Sequence, residues 1–82
     1  MVESKPVREY ADKLLPEVIG VVLSEQKASI SLLQRKLRIG YTRSARIMDI
    51  LEREGVVGPQ PSGGKAREVF PAAARKLLER GE

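Results

Sequence analysis

Thr42, Arg46, Asp49 and Arg53 recur at intervals of four, three and four residues. On an α-helix such spacing gathers them within an arc of roughly 60°, a straight stripe of hydrogen-bonding groups along one edge. A helix edge of this kind fits the major groove of a nucleic-acid duplex. A guanidinium can grip guanine O6 and N7 with two parallel hydrogen bonds, and a carboxylate can accept from the cytosine amino group. Asp49 would repel phosphates, so it serves sequence discrimination better than unselective binding. The alternative is a solvated helix face whose Arg46–Asp49 and Asp49–Arg53 pairs are surface ion pairs worth a few tenths of a kcal/mol. Ile47, Met48, Ile50 and Leu51 fall on the opposite side and are expected in the core.

Other basic residues flank this stripe. Arg35, Lys36, Arg38 and Arg43 are candidates for phosphate contacts, which position a protein on a duplex without reading its sequence. Lys65 and Arg67 are placed to do the same from a hairpin downstream. Tyr41 could reach a phosphate or pack against the preceding turn, and packing is the expectation. Charge is distributed in the same sense. Residues 27–54 carry seven basic and three acidic side chains, whereas residues 1–26 carry three basic and five acidic. The net +4 of the whole chain therefore concentrates on the central segment, which favours phosphate-bearing partners.

Catalytic and metal chemistry find little support. The chain has no Cys and no His, which removes disulfides, Cys/His zinc sites and Cys- or His-based nucleophile pairs. Gly63-Gly-Lys-Ala66 is not a nucleotide loop: Pro59 stands where that loop needs its first glycine, and Ala66 where it needs Ser or Thr. No enzyme activity and no cofactor are expected. No apolar run approaches the length of a membrane span, and the first residues lack a signal-peptide pattern.

The elements that must hold the stripe are legible from periodicity and breakers. Eighty-two residues allow one small domain. Residues 1–11 read as a linker or flexible arm. A first helix is expected from Asp12, as N-cap, to Gln26, with Leu15, Val18, Ile19, Val22 and Leu23 on its apolar side. Residues 28–30 read as a brief strand. Ser31 and Gln34 form a capping box that opens a second helix, with Leu32, Leu33 and Leu37 inward and Gly40 ending it in a left-handed turn. A third helix is expected from Tyr41 to Glu54, stopped by Gly55. Residues 56–59 and 67–70 read as two short strands around a Gly/Pro-rich tip. A last helix follows over 72–80, with Ala74, Leu77 and Leu78 on one side. The fold class is α+β, mainly α: a winged helix-turn-helix spanning residues 12–70, with three helices and a β-hairpin wing, and a C-terminal helical extension over 71–82.

The run Arg38-Ile-Gly-Tyr-Thr-Arg-Ser-Ala-Arg46, followed by Gly55-Val-Val-Gly58 and Arg67-Glu-Val69, resembles the gamma domain of the FtsK/SpoIIIE family of bacterial DNA translocases. The likeness extends upstream through residues 28–35 and covers roughly 12–70. It implies a winged helix in the cytoplasmic C-terminal part of a membrane-anchored, hexameric, ATP-driven motor. It implies recognition of short, strand-asymmetric, G-rich chromosomal motifs that orient DNA translocation during chromosome segregation. In some members of the family this domain also contacts a XerD recombinase. The family's base-reading positions fall on Thr42, Arg46 and Asp49. Thr42 stands where the enterobacterial pattern has Asn, and Asp49 where it has Glu; Ser44 replaces a usual Ala and is expected to matter little.

The expected partners are double-stranded DNA and the motor domain of the same polypeptide. The isolated domain is expected to be monomeric, with several copies binding adjacent sites. Two rival readings share the fold: a winged-helix transcription regulator that binds an operator as a dimer, and a protein-docking winged helix. A palindromic site would favour the first. The second would need an uncharged third-helix face, against which the arginine stripe argues.

Overall fold

The structure is a computed structural model and describes residues 12–61, 63 and 66–80. The expected N-terminal arm and Lys65 of the hairpin tip lie outside the described residues. Four helices follow one another: α1 (Leu15–Glu25), α2 (Ile30–Leu37), α3 (Tyr41–Arg53) and α4 (Pro71–Arg80). The described chain is thus mainly helical, with strand pairing limited to two antiparallel bridges.

The first helix starts later than its sequence suggests. Leu14, not Asp12, is the N-cap of α1, and Pro16 sits in the first turn, where a missing N–H costs nothing. Asp12 instead accepts the Leu14 N–H at 2.9 Å, making a tight turn ahead of the helix. The apolar side is as expected, with Leu15, Val18, Ile19 and Val22 buried. Gln26 closes α1 at φ 60 and donates its N–H to the Val22 carbonyl.

Ala28 forms the first bridge. It exchanges both backbone hydrogen bonds with Arg67, at 3.2 and 2.8 Å. That pairing fixes the chain in an extended course through Ser29, which is why Ser29 rather than Ser31 caps α2. Its hydroxyl accepts the Leu32 N–H at 3.0 Å, and Ile30, expected in the strand, becomes the first residue of the helix. At the other end, Arg38 rather than Gly40 adopts the left-handed conformation, with φ 56. Gly40 has an ordinary φ of −78 and serves as N-cap of α3. The turn between the two helices is thus made one residue after α2 ends, and the glycine supplies an uncrowded entry to α3.

α3 runs almost as the sequence dictates, and Gly55 ends it at φ 79, a conformation that an L side chain resists. Residues beyond it turn back. Val57 forms an antiparallel bridge to Val69, flanked by the Gly58 N–H to Glu68 C=O and Phe70 N–H to Val56 C=O bonds. The segment 67–70 therefore lies between Ala28 on one side and residues 56–58 on the other.

One core unites these elements. Val18, Ile19 and Val22 of α1, Leu33 of α2, Ile47, Met48, Ile50 and Leu51 of α3, and Val56 and Val57 all belong to it. α2 packs on α3, and α1 packs on both α2 and α4. Ala74 and Leu77 of α4 join the same core. Leu78, expected beside them, is 43% exposed. It sits about 100° further round the helix than Leu77, which carries it past the surface of α1.

Candidate nucleic-acid interface

α3 has two faces of opposite character. Ile47, Met48, Ile50 and Leu51 are buried, and Thr42, Arg46, Asp49 and Arg53 are all exposed. A helix anchored by four large apolar side chains turns its polar edge outward. The Arg46 side chain makes no hydrogen bond or ion pair among the described residues. Tyr41 at the start of the helix is 63% exposed, so it does not pack against the turn as expected. Gly40 is the N-cap and leaves Tyr41 on the first exposed turn, where its hydroxyl is available to an outside acceptor.

Ser44 is the one polar side chain on the inner face. It is fully buried, and its hydroxyl has no hydrogen-bond partner. A buried hydroxyl without a partner is destabilising, so the position matters more than sequence alone suggests. Ser44→Ala is expected to raise unfolding free energy by about 1 kcal/mol, read as a higher urea midpoint at unchanged slope. A lower midpoint would mean that the hydroxyl is satisfied.

The basic residues around the stripe separate into two groups. Arg35 and Arg38 are exposed and form no ion pair among the described residues. Lys36 meets Glu25 at 3.4 Å in a pair with both partners substantially exposed, which solvent readily opens. Arg43 and Arg67 are different. Arg43 grips Asp12 through two hydrogen bonds, Nη2 to Oδ1 at 2.6 Å and Nε to Oδ2 at 3.0 Å. The side-chain hydrogen bond from Arg43 holds the Asp12 carboxyl below its ordinary value against the opposing effect of partial burial, and the Leu14 N–H and the charges of Arg43 and Arg46 add to the lowering. The same hydrogen bond raises Arg43 above its ordinary value. Arg67 donates to Glu52 at 2.9 Å, and its side chain is only 12% exposed.

Among the described residues no group of acidic side chains could hold a metal ion, and no helix is long and apolar enough to cross a membrane. What the geometry presents is one exposed helix edge that carries Arg46 and Arg53.

A model of the family described as Ftsk gamma domain matches residues 9–71. The chain belongs to this family. It is 51% identical over 62 residues to the DNA translocase SpoIIIE of Bacillus subtilis (strain 168), covering 76% of this chain and 8% of that protein. It is 46% identical over 78 residues to the DNA translocase FtsK of Caldanaerobacter subterraneus subsp. tengcongensis, covering 93% of this chain and 11% of the relative. A third relative, the DNA translocase FtsK of Clostridium tetani, is 54% identical over 62 residues, or 76% of this chain and 8% of its own length. The chain therefore corresponds to about a tenth of the length of these relatives. The family match ends at residue 71, so it includes α1, α2, α3 and the bridged segments but only the first residue of α4.

At this surface the sequence marks Asp12 only as a helix cap, not as a partner of Arg43, and does not mark Glu52 at all. Asp12 lies 31 positions from Arg43, and Glu52 lies 15 positions from Arg67. Neither separation leaves a local pattern. The only signal is the excess of acidic residues over residues 1–26, which reads as a bulk charge and not as a partner for α3.

Proposed function

We infer that this gamma domain is a winged-helix module that binds double-stranded DNA and reads its sequence with α3. Val57, Val69 and the hydrogen bonds beside them would form the base of a β-hairpin wing, whose tip would carry Lys65 to the backbone. Thr42, Arg46, Asp49 and Arg53 read base edges in the major groove, and Arg35, Lys36 and Arg38 meet phosphates. The observation that carries this reading is the outward stripe on α3, with Arg46 exposed at its centre and the opposite face locked in the core. Family membership and relatives named as DNA translocases support it. In the longer protein, the domain recognises short, strand-asymmetric, G-rich motifs and so sets the direction in which a motor in the same polypeptide moves chromosomal DNA in the cytoplasm. The family resemblance adds a XerD-like recombinase as a further partner. A single domain buries little surface on DNA, so it binds modestly as a monomer, and copies on adjacent sites raise the apparent affinity.

Selection of binding sites from random duplex DNA, at fixed salt, tests this. The expected winner is a G-rich sequence without a dyad. A palindrome would replace the translocase reading with that of a dimeric regulator, and the absence of any enriched sequence would remove base reading from α3.

A further inference from the structure

The two ion pairs at α3 occupy opposite flanks of the same helix. Taking the stripe's midline as reference, Arg43 lies about 90° to one side and Glu52 about 90° to the other. Arg43 is in the first turn and Glu52 in the last. In each pair the partner from outside the helix is the less exposed one: the Asp12 and Arg67 side chains are each 12% exposed, against 43% for Arg43 and 47% for Glu52. Both outside partners are also fixed independently of α3. Asp12 is held by the Leu14 N–H, and the Arg67 backbone is held through both its N–H and its C=O by Ala28.

We propose that Asp12 and Arg67 are positioning residues which clamp α3 from both flanks and set the rotation of its base-reading edge. The proposal rests on the reading of α3 as the recognition helix. Core packing alone fixes α3 to within the play of its apolar side chains. Two charged posts, one at each end and on opposite sides, resist rolling in either sense. A rolled helix would still meet phosphates, because those contacts are long and adaptable, but bidentate contacts to a base edge tolerate little rotation. Arg43 and Arg67 then serve as struts within the domain, and unselective affinity for DNA comes from Arg35, Lys36 and Arg38.

The test uses Asp12→Asn and Glu52→Gln, which keep shape and remove one charge each. Glu17→Gln, an exposed position on α1, makes the same charge change away from α3 and is the control. The quantity read is the ratio of affinities for the selected site and for random duplex, with the salt dependence of each. Loss of stability alone would lower both affinities through the folded fraction and leave their ratio unmoved. The ratio is expected to fall about two- to fivefold in each variant, the range open to a surface ion pair, and further in the double variant, with a salt slope equal to the control's. An unchanged ratio overturns the proposal. So does tighter binding to both duplexes with a steeper salt slope than the control, because it would mean that Arg43 or Arg67 had been released to a phosphate. A wild-type chain without sequence preference would overturn the DNA reading by itself. The clamp is then read in the free protein, where backbone hydrogen exchange in the last turn of α3 should quicken several-fold in Glu52→Gln, and unchanged exchange overturns it.

Discussion

Arg46→Ala is expected to weaken binding to the selected duplex by about 1–3 kcal/mol, roughly 5- to 150-fold, while binding to random duplex falls far less. The difference between those two losses is the informative quantity. A guanidinium that only neutralised a phosphate would weaken both duplexes alike and lower the salt slope by about one. A guanidinium that grips a guanine edge loses two hydrogen bonds specific to one base, and preference relaxes at that position alone. Arg46 is suited to the second role by its place. It is exposed in the middle of the stripe, bound by no side chain among the described residues, and carried on a helix whose far side is immobilised. Competition assays at two salt concentrations check this, and an equal loss on both duplexes would reassign Arg46 to the backbone.

Leu51→Ala is the substitution expected to cost most in stability, about 2–5 kcal/mol. Leu51 is wholly buried, and its carbonyl accepts the Val56 N–H at 2.8 Å where the chain turns out of α3. Truncation opens a cavity beneath α3 at the point from which residues 56–58 depart. For a chain of this size, total stability is on the order of 5–10 kcal/mol, so the variant approaches the edge of folding near body temperature. Urea denaturation of both proteins measures the loss. DNA affinity should fall with the folded fraction and recover on cooling toward the temperature of maximum stability. An exposed neighbour gives the contrast: Asp49→Ala should change stability by less than about 0.5 kcal/mol. A Leu51→Ala loss that small would show that α3 does not bury this face.

Most of the helix that carries the proposed site was legible in the chain. α3 is bracketed by Gly40 and Gly55, and its apolar and polar residues separate at the helical period, so the sequence reading misplaced its end by a single residue. The starts of α1 and α2 were less legible, because the deciding bonds are not local. Ser31 with Gln34 is a sound capping box in isolation. Ser29 takes the role because Ala28 is tied to Arg67, 39 positions downstream. Asp12 looked like an N-cap and instead spends its carboxylate on Leu14 and Arg43. Arg38 takes the left-handed turn although a glycine stands two residues later. Tyr41 and Leu78 are apolar enough to suggest burial, but both stay exposed. Periodicity reports which face of an element is apolar; it does not report which distant segment arrives to meet the ends of that element.

Methylation of guanine N7 in the selected duplex tests the central claim most directly, since that atom lies in the major groove where Arg46 would sit. The account predicts that methylation at one or more guanines of the site blocks binding of the wild-type domain. It also predicts that Arg46→Ala loses this sensitivity at a single guanine while keeping it elsewhere. Wild-type binding that is indifferent to N7 methylation throughout the site would contradict a recognition helix lying in the major groove.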